Sequence, residues 1–231
     1  QNLVINITGI NDGAIIAGAD TGMVTEDQSV TNGKIATSGQ LSVTDSDTGQ
    51  DHFTAQSNVA GTYGSFSIDA SGHWTYSADN SQSALQQLKA GDSLIDSMTI
   101  ASDDGTTHTL LVAIRGTNDA PTLTAQTQAV TEDGALLQGR MVATDVDAGD
   151  TQVFSTAQAI DGFTLNADGS YSFDPAYASY QHLAAGQTQD VVIPITVTDS
   201  AGATSTQNLT ITITGSNDGA IIGGRLANNV T

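Results

Sequence analysis

Apolar and polar residues alternate along much of this chain, which is the period of a half-buried β-strand. In Leu209-Thr210-Ile211-Thr212-Ile213-Thr214 every second residue is apolar, and Leu3-Val4-Ile5-Asn6-Ile7 reads in a similar way. Both are expected to be strands. Phe66-Ser67-Ile68-Asp69 followed by Gly72-His73-Trp74-Thr75-Tyr76 predicts a hairpin. Its counterpart, from Phe163 to Phe173, turns through Asn166-Ala167-Asp168-Gly169, a strong turn sequence. Helical spacing is scarce: residues 81–89 accommodate one turn or two, with residues 177–183 as their counterpart. Short strands at roughly 8–12-residue spacing, separated by Gly, Asp and Asn turns, predict an all-β chain of antiparallel β-sandwiches with about seven strands each. Phe66, Trp74, Tyr76, Phe163, Tyr171 and Phe173 recur at strand spacing and are expected in the cores. Trp74 and Tyr76 share one face of their strand, so the alternative for that pair is an exposed platform for stacking sugars.

The same segments recur in order. Ile7-Thr8-Gly9-Ile10-Asn11-Asp12 returns as Ile114-Arg115-Gly116-Thr117-Asn118-Asp119 and again as Ile213-Thr214-Gly215-Ser216-Asn217-Asp218. Val24-Thr25-Glu26-Asp27 matches Val130-Thr131-Glu132-Asp133, and Thr44-Asp45-Ser46-Asp47 matches Thr144-Asp145-Val146-Asp147. The hairpin recurs, and so does Leu88-x-Ala90-Gly91 as Leu183-x-Ala185-Gly186. Shared order across so many segments means duplication. The expected division is 1–10 as the end of one repeat, 11–117 and 118–216 as two whole repeats, and 217–231 as the start of another. Gln1-Asn2-Leu3-Val4 has no initiator Met and no signal-peptide core, so the chain reads as a piece of a longer one.

Charge sharpens this picture. A net charge of −20 over 231 residues excludes non-specific nucleic-acid binding and opposes docking on anionic lipid. No run approaches the ~18 apolar residues of a membrane span. The chain has no cysteine, so disulfides and thiolate metal sites are excluded. Of its 25 acids only Glu26 and Glu132 are glutamates, and both fall in the same repeated string. An acidic surface made for solubility would mix the two residue types. Aspartate is short, favours loops and is a common calcium ligand there.

Together the motifs resemble the VCBS repeat of very large bacterial RTX-type adhesins, over nearly the whole chain. The likeness rests on the V-T-E-D opening, the D-x-D-x-G loop, the hairpin from Tyr63 to Tyr76 and the closing Gly116-Thr117-Asn118-Asp119-Ala120-Pro121. The second repeat departs from it, with Tyr171 in place of the tryptophan and a proline-free ending, and is closer to a cadherin-like relative. The resemblance implies Ig-like or cadherin-like sandwiches in long extracellular arrays, exported by type I secretion to the bacterial surface, with roles in adhesion and biofilm formation. The partners it implies are neighbouring repeats, and, through distal domains, surface glycans or other copies of the adhesin.

Calcium takes 6–8 oxygens from carboxylates, carbonyls and water. A site joining two repeats needs ligands from the end of one, the linker and the start of the next. In the similar cadherin pattern these are a Glu near the module start, an N-D linker and a D-x-D pair. Carried over, Glu26, Asn118, Asp119, Asp145 and Asp147 would share a Ca2+ site, with Asp199 as a further ligand. Asn11, Asp12, Asp45, Asp47 and Asp103 would form the preceding site. Glu132, Asn217 and Asp218 would begin the next. The bland alternative is that N-D is a turn and D-x-D caps backbone amides. That reading is preferred for Asp27, Asp51, Asp133 and Asp150, and Asp69, Asp168 and Asp174 are expected in turns. An EF-hand does not fit, because Gly49 falls at loop position five and Gln56 at position twelve. His52, His73, His108 and His182 show no metal-site spacing, and no nucleophile or phosphate-loop motif is present, so no catalytic residue is expected. The expected role is an extender stiffened by calcium, spacing a distal adhesive domain from the cell. The alternatives are a carbohydrate-binding module or homophilic contact between arrays.

Overall fold

The computed structural model describes residues 2–219. Most of the expected start of a further repeat, from residue 220 onward, therefore lies outside the described residues. The chain divides into two compact units, the first holding Gln1–Asp119 with Val146–Ala148 and the second holding the remainder. Each has its own apolar core. Among the described residues, no helix is long and apolar enough to cross a membrane.

In the first unit the strands are β1 (Ile15–Gly18), β2 (Thr21–Thr25), β3 (Lys34–Thr44), β4 (Gln56–Ala60), β5 (Gly64–Ile68), β6 (His73–Asp79), β7 (Ser93–Ala101) and β8 (Thr107–Arg115). They form a five-stranded sheet, β1-β3-β6-β5-β4, facing a three-stranded sheet, β2-β8-β7. The opening segment serves both sheets. It pairs antiparallel with β3, breaks at Gly18, and then runs parallel to the last strand, β8. Gly18 sits at φ +116°, and a Cβ there would stand 2.6 Å from Gln40 O, so the switch between sheets requires glycine. That split, and one parallel pair, account for eight strands rather than seven in an otherwise antiparallel sandwich.

The expected hairpin is β5–β6, with Phe66 opposite Tyr76 and Ile68 opposite Trp74. Trp74 is fully buried, and its Nε1 donates to Ala19 O at 2.7 Å. It lies across Gly39 of β3, where a Cβ would come within 2.6 Å of the indole. The core expectation therefore holds for Trp74 and Tyr76, and the alternative of a sugar platform there is corrected. Both residues are at most 1% exposed, because alternation turned this face of β6 inward. The helical expectation reduces to α1 (Ser83–Gln86), one turn that buries Leu85. The segment Leu3 to Ile7 is not a strand: it pairs with nothing among the described residues and leaves Leu3, Val4, Ile5 and Ile7 exposed. Alternation supplies an apolar face, but a strand also needs a neighbour for its N–H and C=O groups.

The second unit repeats the plan with shorter pieces: β9 (Thr122–Leu123), β10 (Gln126–Thr131), β11 (Leu137–Arg140), β12 (Ala143–Thr144), β13 (Val153–Ser155), β14 (Phe163–Leu165), β15 (Ser170–Phe173), β16 (Thr188–Thr198) and β17 (Thr204–Thr214). One sheet is β10-β17-β16-β13, again with a parallel first-to-last pair, β10 on β17. The facing layer is split into β11-β15-β14 and β12-β9. Gly139 opposite Tyr171 reproduces the glycine-under-aromatic pairing of Gly39 and Trp74. Ile193, Ile195, Val197, Leu209, Ile211 and Ile213 are fully buried, as the period-two pattern predicts. Residues 177–183 form turns, not helix.

Candidate metal centre

Each repeat places one glutamate by the same device. β2 and β10 end at Thr25 and Thr131, and the parallel ladder continues one residue further: Glu26 N donates to Arg115 O at 3.0 Å and Glu132 N to Thr214 O at 2.9 Å. Asp27 (φ 56°) and Asp133 (φ 58°) then adopt the left-handed conformation, which aspartate tolerates better than most residues, and turn the chain away. Both glutamates are buried, at 0% and 1% exposed. One oxygen of each accepts a backbone N–H, Thr117 N to Glu26 Oε1 at 2.9 Å and Ser216 N to Glu132 Oε2 at 2.9 Å. The other oxygens, Glu26 Oε2 and Glu132 Oε1, are buried and have no hydrogen-bond partner among the described residues. A buried polar atom in that state costs about 1–3 kcal/mol, and more if charged.

Burial pushes the Glu26 carboxyl up to about 7, against the opposing Thr117 N–H, and the charges of Asp119, Asp27 and Asp147 push it the same way. Within the first unit, then, Glu26 faces an anionic surround. Asp119 N donates to Asp147 Oδ2 at 3.0 Å, joining two of the expected ligands. The same bond occurs earlier, Asp12 N to Asp47 Oδ2 at 2.9 Å, and Asp47 N donates to Asp45 Oδ1 at 2.8 Å. The Asp45 Oδ2 atom and the Gln50 Oε1 atom are buried without hydrogen-bond partners among the described residues. At the end of the second unit, loss of hydration and the charges of Glu132 and Asp133 raise the Asp218 carboxyl. Asn217 and Asp218 are exposed there, as are Asn11 and Asp12, whereas Asn118 and Asp119 are half-buried. Asn118 Nδ2 donates to Asp119 O at 2.9 Å.

In the loop after β12, oxygens of Asp145, Asp147 and Asp150 lie within 4.8 Å of one another. Asp147 is buried, and the other two are half-buried. Asp150, read from sequence as structural, thus joins the cluster. Its Oδ1 accepts Ser200 N at 3.2 Å, beside buried Asp199. The signal that points to it is its position three residues after a D-x-D pair. Asp103 is corrected in the other direction. It is exposed, and the residue that follows β7 as Asp199 follows β16 is Ser102, which is buried. Asp104 instead caps the turn, accepting from Ser102 Oγ, Thr106 N, Thr106 Oγ1 and Ala14 N. Asp27 is tied to Asn80 and Gln86, and Asp69, Asp168 and Asp174 cap their turns, each in keeping with its structural reading.

The donors gathered in these places are all oxygen, mostly carboxylate, and include buried atoms with no donor of their own. That set suits a hard divalent cation, and the Asp145–Asp147–Asp150 cluster could hold one.

The profile of the bacterial cadherin-like domain matches residues 11–116 and 118–215. This chain belongs to the bacterial cadherin-like domain family. Its two bacterial cadherin-like domains are adhesion-type β-sandwich modules. Solved structures with a similar fold include PcdhgB3 EC1-4 (TM-score 0.51, 17% identity, 88% of this chain and 50% of that one). Mouse Cadherin-23 EC22-24 is similar at TM-score 0.50 and 14% identity, over 84% of this chain and 62% of that one. Drosophila N-cadherin EC1-4 gives TM-score 0.49 and 17% identity, over 87% of this chain and 49% of that one. At such identities the likeness to the first two is one of fold, and the chain spans about half to two thirds of the three structures. No curated protein matches.

Proposed function

We propose that this chain is a calcium-rigidified extender of a large bacterial surface adhesin of the VCBS or RTX type. Its repeats, 11–117 and 118–216, with the end of one repeat before them and the start of another after, hold a distal adhesive domain away from the cell. The chain works outside the cell, after type I secretion, in adhesion and biofilm formation. The observation that carries the reading is Glu26: a fully buried carboxylate with one oxygen lacking a hydrogen-bond partner, facing Asp119 and Asp147. A divalent cation would satisfy that oxygen and cancel the repulsion together. Without it, clustered carboxylates repel and adjacent repeats pivot. With it, the Glu, the N-D linker and the D-x-D loop act as one unit.

The test is calcium titration into chelator-treated protein, with melting temperature and small-angle X-ray scattering followed together. A rise in melting temperature with a longer, stiffer particle supports the proposal. A rise without elongation would place the ions within repeats and remove the extender role. No response to millimolar calcium would sink the metal reading.

A second reading, homophilic contact through a module face, has one observation in its favour. On the outward side of the β2-β8-β7 sheet, Met23, Ala113 and Ile95 lie in one cross-strand row, with Met23 and Ile95 more than half exposed and Leu111 nearby. Calcium-dependent dimerisation abolished by Met23→Ser and Ile95→Ser would favour it. A monomer at high protein concentration would dismiss it.

A further inference from the structure

The two repeats close the same sheet differently. In the first, β4 lies on the outer side of β5, with Val59 opposite Phe66 and Gln56 opposite Ile68. In the second, β14 is the counterpart of β5, and no strand among the described residues lies on its outer side. The cause is visible in the sequence. Phe53 and Phe154 hold equivalent places, because each N–H bonds the alanine of its hairpin turn, Ala70 O at 3.1 Å and Ala167 O at 3.0 Å. From there the chain reaches Phe66 after 13 residues but Phe163 after nine. The four-residue deficit is the length of the turn Gly61-Thr62-Tyr63-Gly64, which folds β4 onto β5. The anchor of that turn is missing as well. Asp96 accepts the N–H groups of Thr62, Tyr63 and Gly64, and Ile193 stands at its place in the second repeat.

Without that strand, apolar surface is uncovered. Phe66 and Ile68 are 0% and 2% exposed, whereas Phe163 and Leu165 at the same places are half-buried. Residues 156–160 pass β14 without forming a strand and leave a cavity of about 450 Å³ beside it. Phe154, Ile160, Phe163 and Leu165 supply its apolar wall, and Asp161 also lines it. Asp174 N donates to Gly162 O and Asn166 N to Ser170 O, so alternate residues of this segment bond β15, and the backbone groups of Phe163 and Leu165 point away from it. An open edge beside an apolar cavity is a template for a further strand, with main-chain bonds supplying affinity and the cavity supplying selectivity.

We propose that the outer edge of β14 takes up an extended segment of another polypeptide, which completes the sheet as β4 does in the first repeat. The first repeat shows the chemistry of the occupant. β4 is Gln-Ser-Asn-Val-Ala, without charge, and Val59 packs against the core. Asp161 and Asp168 are exposed on either side of β14 in sequence, and the chain carries −20 overall, so an acidic segment is repelled. The partner segment is therefore uncharged or basic, with an aliphatic residue to enter the cavity. The second repeat is then a docking module, in contrast to the first, whose edge is closed by its own chain.

The probe is a labelled peptide with the sequence of residues 54–62, Thr-Ala-Gln-Ser-Asn-Val-Ala-Gly-Thr, titrated into the whole chain, with two-dimensional amide NMR locating the contact. Saturable binding below about 1 mM peptide is expected, with shifts centred on residues 155–165. A peptide with aspartate in place of its valine should bind about tenfold more weakly or worse, because a charge would enter the cavity unpaired. Leu165→Pro removes an outward N–H from an edge strand and should weaken binding by about tenfold. Exchanging residues 155–162 for residues 54–65, together with Ile193→Asp, gives the second repeat its own closing strand and should abolish binding. Circular dichroism reports the folding of both variants, and the NMR map of the unaltered chain needs neither. No binding at millimolar peptide, shifts centred away from β14, or equal binding of the aspartate peptide overturns the inference. Indole entering the cavity while the peptide does not would make it a small-molecule site and overturn the inference too. None of these results depends on calcium, so failure here leaves the calcium reading standing.

Discussion

Replacing Glu26 with glutamine separates the cost of its charge from the structural value of its shape. The carboxyl rises from 4.5 to about 7 because burial and three neighbouring acids disfavour the anion. A raised folded value means that the protonated side chain fits the fold. The stability it contributes is complete below about pH 4.5 and is lost as pH climbs through about 7. A rise of about 2.5 pH units at 1.36 kcal/mol each amounts to about 3 kcal/mol, an upper figure. Glutamine keeps an acceptor for Thr117 N–H and carries no charge. In chelator at pH 8, Glu26→Gln should therefore be more stable by up to about 3 kcal/mol, raising the melting temperature of the first unit by roughly 10 °C. At pH 4.5 the difference should vanish. Calcium should invert the order. At ten to a hundred times Kd the unaltered protein gains about 1.4–2.7 kcal/mol per site, and the variant, short of a charged ligand, gains less. Calorimetry at both pH values, with and without calcium, reads all four conditions. A variant less stable than the parent in chelator at pH 8, or one with an undiminished calcium gain, would refute the reasoning.

Trp74 is the only tryptophan, so its fluorescence reports the first unit alone. Gly39→Val would drive a branched side chain into the indole, with the first Cβ already within 2.6 Å, and should cost that unit about 3 kcal/mol or more in urea unfolding followed at Trp74. Trp74→Phe would leave Ala19 O without its donor and should cost about 1–3 kcal/mol, read by calorimetry. Asp96→Asn should cost about 2–4 kcal/mol at pH 7, because its carboxylate accepts the N–H groups of Thr62, Tyr63 and Gly64 and the Tyr76 hydroxyl. Burial opposes ionisation of Asp96, yet those donors hold it below the usual carboxylate range. Its contribution is therefore present above pH 3.8 and lost as pH falls through the folded value, and the variant should show a flatter acid limb.

The sandwich was legible because alternation and duplication are properties of the string itself. The inward faces of β6, β8, β16 and β17 could be read residue by residue. What escaped reading depended on partners. Residues 2–10 carry the pattern of a last strand without a neighbour to pair with. Trp74 and Tyr76 were ambiguous because alternation says that two residues share a face but not which face is covered. The repeated motifs name candidate ligands, Glu26 with its linker and D-x-D loop, but they do not reveal the depth of a turn. Asp103 and Ser102 are neighbours in sequence, and one ladder position decides which of them is buried. Asp96 was missed although its signal was plain: it occupies the inward position between Leu94 and Met98, where the second repeat has Ile193.

Asp96 also supplies the contrast that gives Glu26 its meaning. Both are buried carboxylates in one small unit, at 1% and 0% exposed. Asp96 is surrounded by donors from the loop before β5 and from Tyr76, so it stays ionised and needs no cation. Glu26 receives one N–H on one oxygen and is otherwise set against acids, so burial raises it instead of neighbours stabilising its charge. The fold can evidently saturate a buried carboxylate when the carboxylate serves packing. Where it leaves the same group half satisfied, beside Asp119 and Asp147, and builds Glu132 in the same way at the end of the next repeat, the missing half is what the proposed divalent cation would supply.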